Sequence, residues 1–78
     1  MYVRYLGYYT TIDPLVCDFV TIVAVSDADA IRVARDFVAK QRENYVVRNP
    51  SVRLSKSAFR LEKVINVDKN EVIFEKKH

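Results

Sequence analysis

Apolar residues in this chain recur at every second position, then at helical spacing, then at every second position again, and each change of period marks an element. Tyr2 to Tyr9 alternates imperfectly but is dense in aromatic and β-branched side chains, which predicts a first strand. Thr10-Thr11-Ile12-Asp13-Pro14 interrupts it, because proline lacks an amide donor and moves Asp13 away from helical angles. Phe19 to Val25 predicts a second strand. Successive strand side chains point to opposite faces, so Val20, Ile22 and Ala24 share one face while Phe19, Thr21, Val23 and Val25 share the other.

Ser26-Asp27-Ala28-Asp29 has the form of a capping box. The Ser26 hydroxyl is placed to accept from the Asp29 amide, and the Asp29 carboxylate to reach back to Ser26. Such a cap contributes about 1 kcal/mol, and both acids suit the positive end of a helix dipole. Ala30, Ile31, Ala34, Phe37, Val38 and Gln41 then fall on one helical stripe, with Arg32, Arg35, Asp36, Lys40, Arg42 and Glu43 away from it. Asp36 and Lys40 have the acid-first spacing of a surface pair. Asn44 to Asn49 is expected to end the helix, and Pro50 forbids its continuation.

Ser51 to Ser57 reads as a loop, with a short extended piece at Val52 to Leu54. Phe59 to Val67 alternates, placing Phe59, Leu61, Ile65 and Val67 on one side. Asp68-Lys69-Asn70 is a turn, with Asn70 best suited to a left-handed angle. Glu71 to Glu75 returns as a last strand, and Lys76-Lys77-His78 is a frayed tail. The order ββαββ predicts a single α+β domain over residues 1–78, in which one helix covers a mainly antiparallel four-stranded sheet in two layers.

One helix covers one sheet face. The face carrying Phe19, Thr21, Val23 and Val25 is largely apolar and has no evident cover. Such a face marks a dimer or partner interface, unless Tyr2 to Tyr9 or the loops at 10–17 and 44–57 fold over it.

Composition narrows the function classes. Of 78 residues half are apolar and 29% charged, which is globular rather than disordered composition. The single glycine excludes a glycine-rich phosphate loop. One cysteine, Cys17, excludes an intramolecular disulfide and a cysteine-cluster zinc site, and a small domain without such staples is expected in the reducing cytosol. The N-terminus lacks a signal-peptide core, and the apolar run Ile22 to Val25 is too short to span a bilayer, so a cytoplasmic protein with no membrane partner is expected. A net charge of +3 argues against DNA mimicry and permits nucleic-acid binding without requiring it.

No residue set predicts catalysis, a metal or a cofactor. His78 is the sole histidine and the last residue. Cys17 neighbours Asp18, the wrong charge for lowering a thiol pKa, and is expected to be a small buried or half-buried residue. The acids are scattered, and Asp27 and Asp29 are explained by the helix start. Two sets suit binding instead. Arg48, Arg53, Lys56 and Arg60 lie between Glu43 and Glu62 with no acid among them, and can contact phosphates or carboxylates or simply solvate a loop. Tyr2, Tyr5, Tyr8 and Tyr9 offer apolar anchors with polar tips, although ordinary strand packing accounts for at least two of them.

Residues 22–37, Ile-Val-Ala-Val-Ser-Asp-Ala-Asp-Ala-Ile-Arg-Val-Ala-Arg-Asp-Phe, resemble a strand–helix unit that recurs in small phage and mobile-element proteins. There an alternating strand ends in Ala-x-Ser or Ala-x-Asp and enters a helix with alanines four apart, here Ala30 and Ala34 following Ala24. Several anti-CRISPR proteins share this unit within a small sheet. The resemblance implies a non-catalytic inhibitor that blocks a host defence complex by covering a functional surface, with a CRISPR effector ribonucleoprotein as the most plausible target. The motif is structural and transfers no binding residues. The expected function is therefore partner binding through the tyrosines and the basic loop. The alternatives are a small basic nucleic-acid-binding protein using the same loop, and a homodimer joined through the second sheet face.

Overall fold

A computed structural model describes residues 1–77, and His78 lies outside the described residues. The elements are β1 (Val3–Thr10), β2 (Cys17–Ala24), α1 (Asp27–Arg48), β3 (Leu61–Asn66) and β4 (Glu71–Glu75). They form one antiparallel sheet in the order β2-β1-β3-β4, with α1 across one face. This is the α+β arrangement that the order ββαββ predicts.

Between helix and sheet lie Tyr5, Tyr9, Ile22, Ala24, Ala30, Ala34, Val38, Leu61 and Val64. Small residues set the spacing of the layers. A Cβ built on Gly7 would lie 3.5 Å from the Ala34 Cβ and 3.3 Å from the Ile22 Cδ1, so the helix rests almost directly on the β1 backbone there. The Gly7 φ is not positive, and glycine is needed for space rather than for angle. At the helix start the Ser26 hydroxyl accepts from the Asp29 amide at 3.1 Å. The buried Tyr5 hydroxyl donates to Asp27 Oδ1 at 2.9 Å and ties β1 to the first turn.

Several expectations need correction. The helix runs to Arg48, at the far end of the segment 44–49 expected to close it, because tertiary contacts hold its last turns. The Tyr45 ring packs on Phe59 at 5.5 Å, and Arg42 Nη1 donates to the Ala58 carbonyl at 3.1 Å. Asn49 then closes the helix, its amide donating to the Tyr45 and Val46 carbonyls and its side chain to Tyr45. Asp36 pairs with Arg32 at 3.3 Å, not with Lys40, because Arg32 sits one turn earlier and also holds Asp29 at 2.6 Å.

The strand beginning at Phe59 is shorter than expected. Phe59 adopts a left-handed φ of 51°, and pairing begins at Leu61. Thr10 organises this corner. Its buried Oγ1 donates to the Ser57 carbonyl at 2.6 Å and accepts from the Arg60 amide at 2.9 Å. The register of β1 on β3 then slips by one residue, since Tyr8 faces Lys63 and Tyr9 faces Leu61. A bulge of one residue reverses parity. Leu61 and Ile65 therefore lie on opposite faces, not the same one. Lys76 is not frayed, since its amide donates to the Glu62 carbonyl at 2.8 Å. Asn70 takes the expected left-handed angle, with φ 53°.

Candidate functional site

The sheet face turned away from α1 is built in cross-strand rows. Register places Thr21, Leu6, Ile65 and Val72 side by side across all four strands. A second row holds Phe19, Tyr8, Lys63 and Glu75, with the Lys63 ammonium 5.7 Å from the Tyr8 ring centre. Val23 and Arg4 begin a third row, which Arg4 extends to Asp68 through a 3.0 Å ion pair. The Arg4 guanidinium, reinforced by the Arg4 amide, holds the Asp68 carboxyl below its ordinary range.

Among the described residues nothing covers this face. Phe19 is 57% exposed, Val23 56% and Val72 49%, while Leu6, Tyr8 and Ile65 are half-buried only by their neighbours. Neither the tyrosine strand nor the loops fold over it, so the open alternative for the second face holds. The face is also balanced in charge, carrying Arg4 with Asp68 and Lys63 with Glu75. Apolar exposure continues at the hairpin end of β1 and β2, where Leu15 is 92% exposed and Val16 and Ile12 are also exposed. β2 is moreover an edge strand of eight residues with Asp18 as its sole charged side chain, and such an edge invites pairing.

The four tyrosines divide. Tyr2 is exposed ahead of β1, and Tyr8 lies on the open face in contact with Phe19. Tyr5 and Tyr9 are corrections to the anchor set, because odd positions of β1 face the helix and both side chains are buried. The Tyr9 ring meets Phe37 edge-on at 5.5 Å. Burial raises both phenol pKa values, aided for Tyr5 by its hydrogen bond to Asp27 and for Tyr9 by Asp18. Cys17 is exposed instead of buried, because it is the first residue of β2 on the open side. It borders a cleft of about 420 Å³ with Tyr8, Glu62, Lys63, Glu75 and Lys76.

The basic loop is also rearranged. Arg48 borders a cleft of about 220 Å³ at the end of α1, and Arg53 and Lys56 are exposed along the following loop. Arg60 turns instead towards Glu62, at 3.2 Å. The structure does not bring the four expected cations into one site. It does gather Arg35, Arg42, Arg60 and Lys76 around a groove of about 320 Å³ between α1 and the β3–β4 side of the sheet. Arg35 and Arg42 are seven residues apart on the helix, and only the fold joins them to Arg60 and Lys76. Sequence reasoning missed the open-face residues Leu6, Ile65 and Val72 for the same reason, since register decides them. The alternation of Phe19 and Val23 was their one visible signal.

Among the described residues no three histidine, cysteine or carboxylate side chains gather closely enough to hold a metal ion. No helix among them is long and apolar enough to cross a membrane. Comparison with protein-family models, curated proteins and solved structures gives no match.

Proposed function

We propose that the protein is a non-catalytic interaction module that binds another protein through the open sheet face, with Phe19, Val23, Leu6, Ile65 and Val72 as apolar contacts and Tyr8 and Tyr2 as amphipathic ones. The uncovered apolar face carries this reading. Exposed patches of this kind on small domains mark partner surfaces, and aromatic residues within them carry a large share of binding energy. The charges in the rows on either side of the apolar row, Arg4 with Asp68 and Lys63 opposite Glu75, suit a partner surface that is apolar at its centre and carries both signs at its rim. Apolar exposure extends from the face to Ile12, Leu15 and Val16 at the hairpin end. A partner that wraps this end covers more of it than a second copy stacked face to face.

The resemblance of residues 22–37 to the strand–helix unit of anti-CRISPR proteins directs the first test to CRISPR effector complexes, and to a phage or mobile-element inhibitor of host defence. The protein is titrated into target-cleavage assays of purified effectors, beside a Phe19→Glu/Val72→Lys variant whose fold is checked by circular dichroism. Stoichiometric inhibition that the variant loses is the expected result. A variant that inhibits as well as the parent chain removes the open face from the mechanism, and no inhibition of any effector removes the target class. Light scattering supplies the competing outcome: a stable dimer that the same variant splits assigns the face to a second copy.

A further inference from the structure

We propose that the groove between α1 and the β3–β4 side of the sheet binds the phosphodiester backbone of a nucleic acid without reading its bases. This site lies on the helix side of the sheet, and of its four cations only Lys76 also borders the cleft beside Tyr8 on the open side. Four cations border it, Arg35, Arg42, Arg60 and Lys76, and no carboxylate does. Three are held in place by contacts of their own. The Arg35 guanidinium lies 5.1 Å from the Phe74 ring centre, Arg42 donates to the Ala58 carbonyl, and Arg60 pairs with Glu62. Preorganised guanidinium groups are the side chains best matched to phosphate oxygens. Arg35 and Arg42 are two helical turns apart, about 10 Å along the axis. That is the axial rise of about three nucleotides in one strand of a duplex.

A repeating polyanion fits this line of charge better than a single small anion. The surrounding field points the same way. Residues 32–60 contain eight of the thirteen cations and only two of the ten acids, and the chain has a pI near 9.2. α1 as a whole carries five cations against four acids, so the footprint of nucleic-acid binding in this basic domain is the cluster at the groove and not the helix itself. Base stacking is disfavoured, because the aromatic rings of the groove are already engaged: Phe74 lies under Arg35, and Phe59 packs on Tyr45. Contact with phosphates positions a strand but carries no sequence information. Arg60 is partly neutralised by Glu62, which leaves Arg35, Arg42 and Lys76 as the principal contacts.

The test is fluorescence anisotropy with labelled 20-nucleotide single strands of three unrelated sequences, in DNA and RNA, across a salt series. Three phosphate contacts predict a slope of log K against log salt near −2 on single strands. The three sequences should bind alike. Arg35→Gln/Lys76→Gln changes two exposed side chains and spares the core, and it should reduce the slope by about 1.4. Arg48→Gln/Arg53→Gln removes the same charge outside the groove and should leave the slope close to that of the parent chain. A control pair that lowers the slope as much as the groove pair would show diffuse attraction and overturn the site. So would the absence of binding at low salt, a preference for one sequence, or displacement by poly-glutamate as readily as by an unlabelled oligonucleotide.

Discussion

At Gly7 the sheet and the helix leave little room for a side chain, and replacing it measures how far the two layers can separate. An added Cβ meets the Ile22 Cδ1 at 3.3 Å, the Val20 Cγ1 at 3.4 Å and the Ala34 Cβ at 3.5 Å. The first neighbour is a flexible side-chain end, and the other two distances are ordinary contact. Gly7→Ala therefore needs a shift of a few tenths of an ångström. Against it stands a gain of roughly 0.4–1 kcal/mol from restricting the unfolded chain, so alanine should leave stability within about 0.5 kcal/mol of the parent. Gly7→Val adds two methyl groups to a space bounded on three sides, and overpacking of this kind costs about 1–3 kcal/mol. Crowding wins for valine. With a urea dependence of about 1 kcal/mol/M, a loss of about 2 kcal/mol lowers the unfolding midpoint by about 2 M. Ala34→Gly in the valine background should recover part of that loss, with a coupling of at least 0.5 kcal/mol after its own helix cost is subtracted in a double-mutant cycle. A Gly7→Val chain as stable as the parent, or a cycle with no coupling, would refute the close approach of α1 to β1. The same displacement should alter the cationic groove, since α1 forms one of its walls.

Thr10→Val preserves shape but deletes the hydrogen bonds to the Ser57 carbonyl and from the Arg60 amide; a loss of about 1–3 kcal/mol is expected, with faster hydrogen exchange at residues 57–60. Ser26→Ala removes the cap on the Asp29 amide and should cost about 1 kcal/mol in chemical denaturation, whereas Ser26→Asp should cost far less. Asp29 and Asp68 have carboxyl pKa values lowered chiefly by hydrogen bonds from Arg32 and Arg4. Their stabilisation is complete above the unfolded value of about 3.9 and is lost as pH falls through the lower folded values. Tyr5 and Tyr9, raised mainly by burial, behave in reverse and lose stabilisation as pH climbs above about 10. Melting temperatures should thus be flat from pH 5 to 9, and an acid transition centred above pH 5 would contradict these assignments.

Much of this architecture can be read from local signals. The Ser26 N-cap, the break at Pro14 and the turn at Asn70 each act over a few residues and appear where expected, although the Asp29 carboxylate pairs with Arg32 and does not complete the capping box. The alternation in Phe19 to Val25 likewise assigns both faces of β2 correctly. Decisions taken over distance are not readable in this way. Arg42 and Tyr45 hold the last turns of α1 because Ala58 and Phe59 lie across the fold, and nothing within 44–49 reports where in that segment the helix stops. The bulge opposite Tyr8 and Tyr9 depends on Thr10 anchoring residues 57–60, yet it decides which side chains of β3 reach the open face. The tyrosine cluster shows the cost most plainly. Four rings close in sequence look equivalent until strand parity places Tyr5 and Tyr9 under the helix and leaves Tyr8 outside.

The two candidate surfaces also have opposite electrostatic character. On the open face every charge has a counter-charge nearby, with Arg4 beside Asp68 and Lys63 opposite Glu75, so its binding should depend weakly on salt. The groove gathers Arg35, Arg42, Arg60 and Lys76 with no carboxylate in its lining, and its binding should weaken as salt rises. They lie on opposite sides of a slab whose smallest dimension is 15 Å. On the two proposals above, a target carrying both protein and nucleic acid would engage both sides at once, and linking two modest affinities on one body raises the combined affinity without any new contact. A ribonucleoprotein meets that description better than naked nucleic acid or a lone protein. The salt dependence separates the cases: binding to a ribonucleoprotein should retain a salt-insensitive component at salt concentrations that abolish binding to free strands. Phe19→Glu/Val72→Lys should remove that component, and Arg35→Gln/Lys76→Gln should leave it in place while reducing the salt slope by about 1.4.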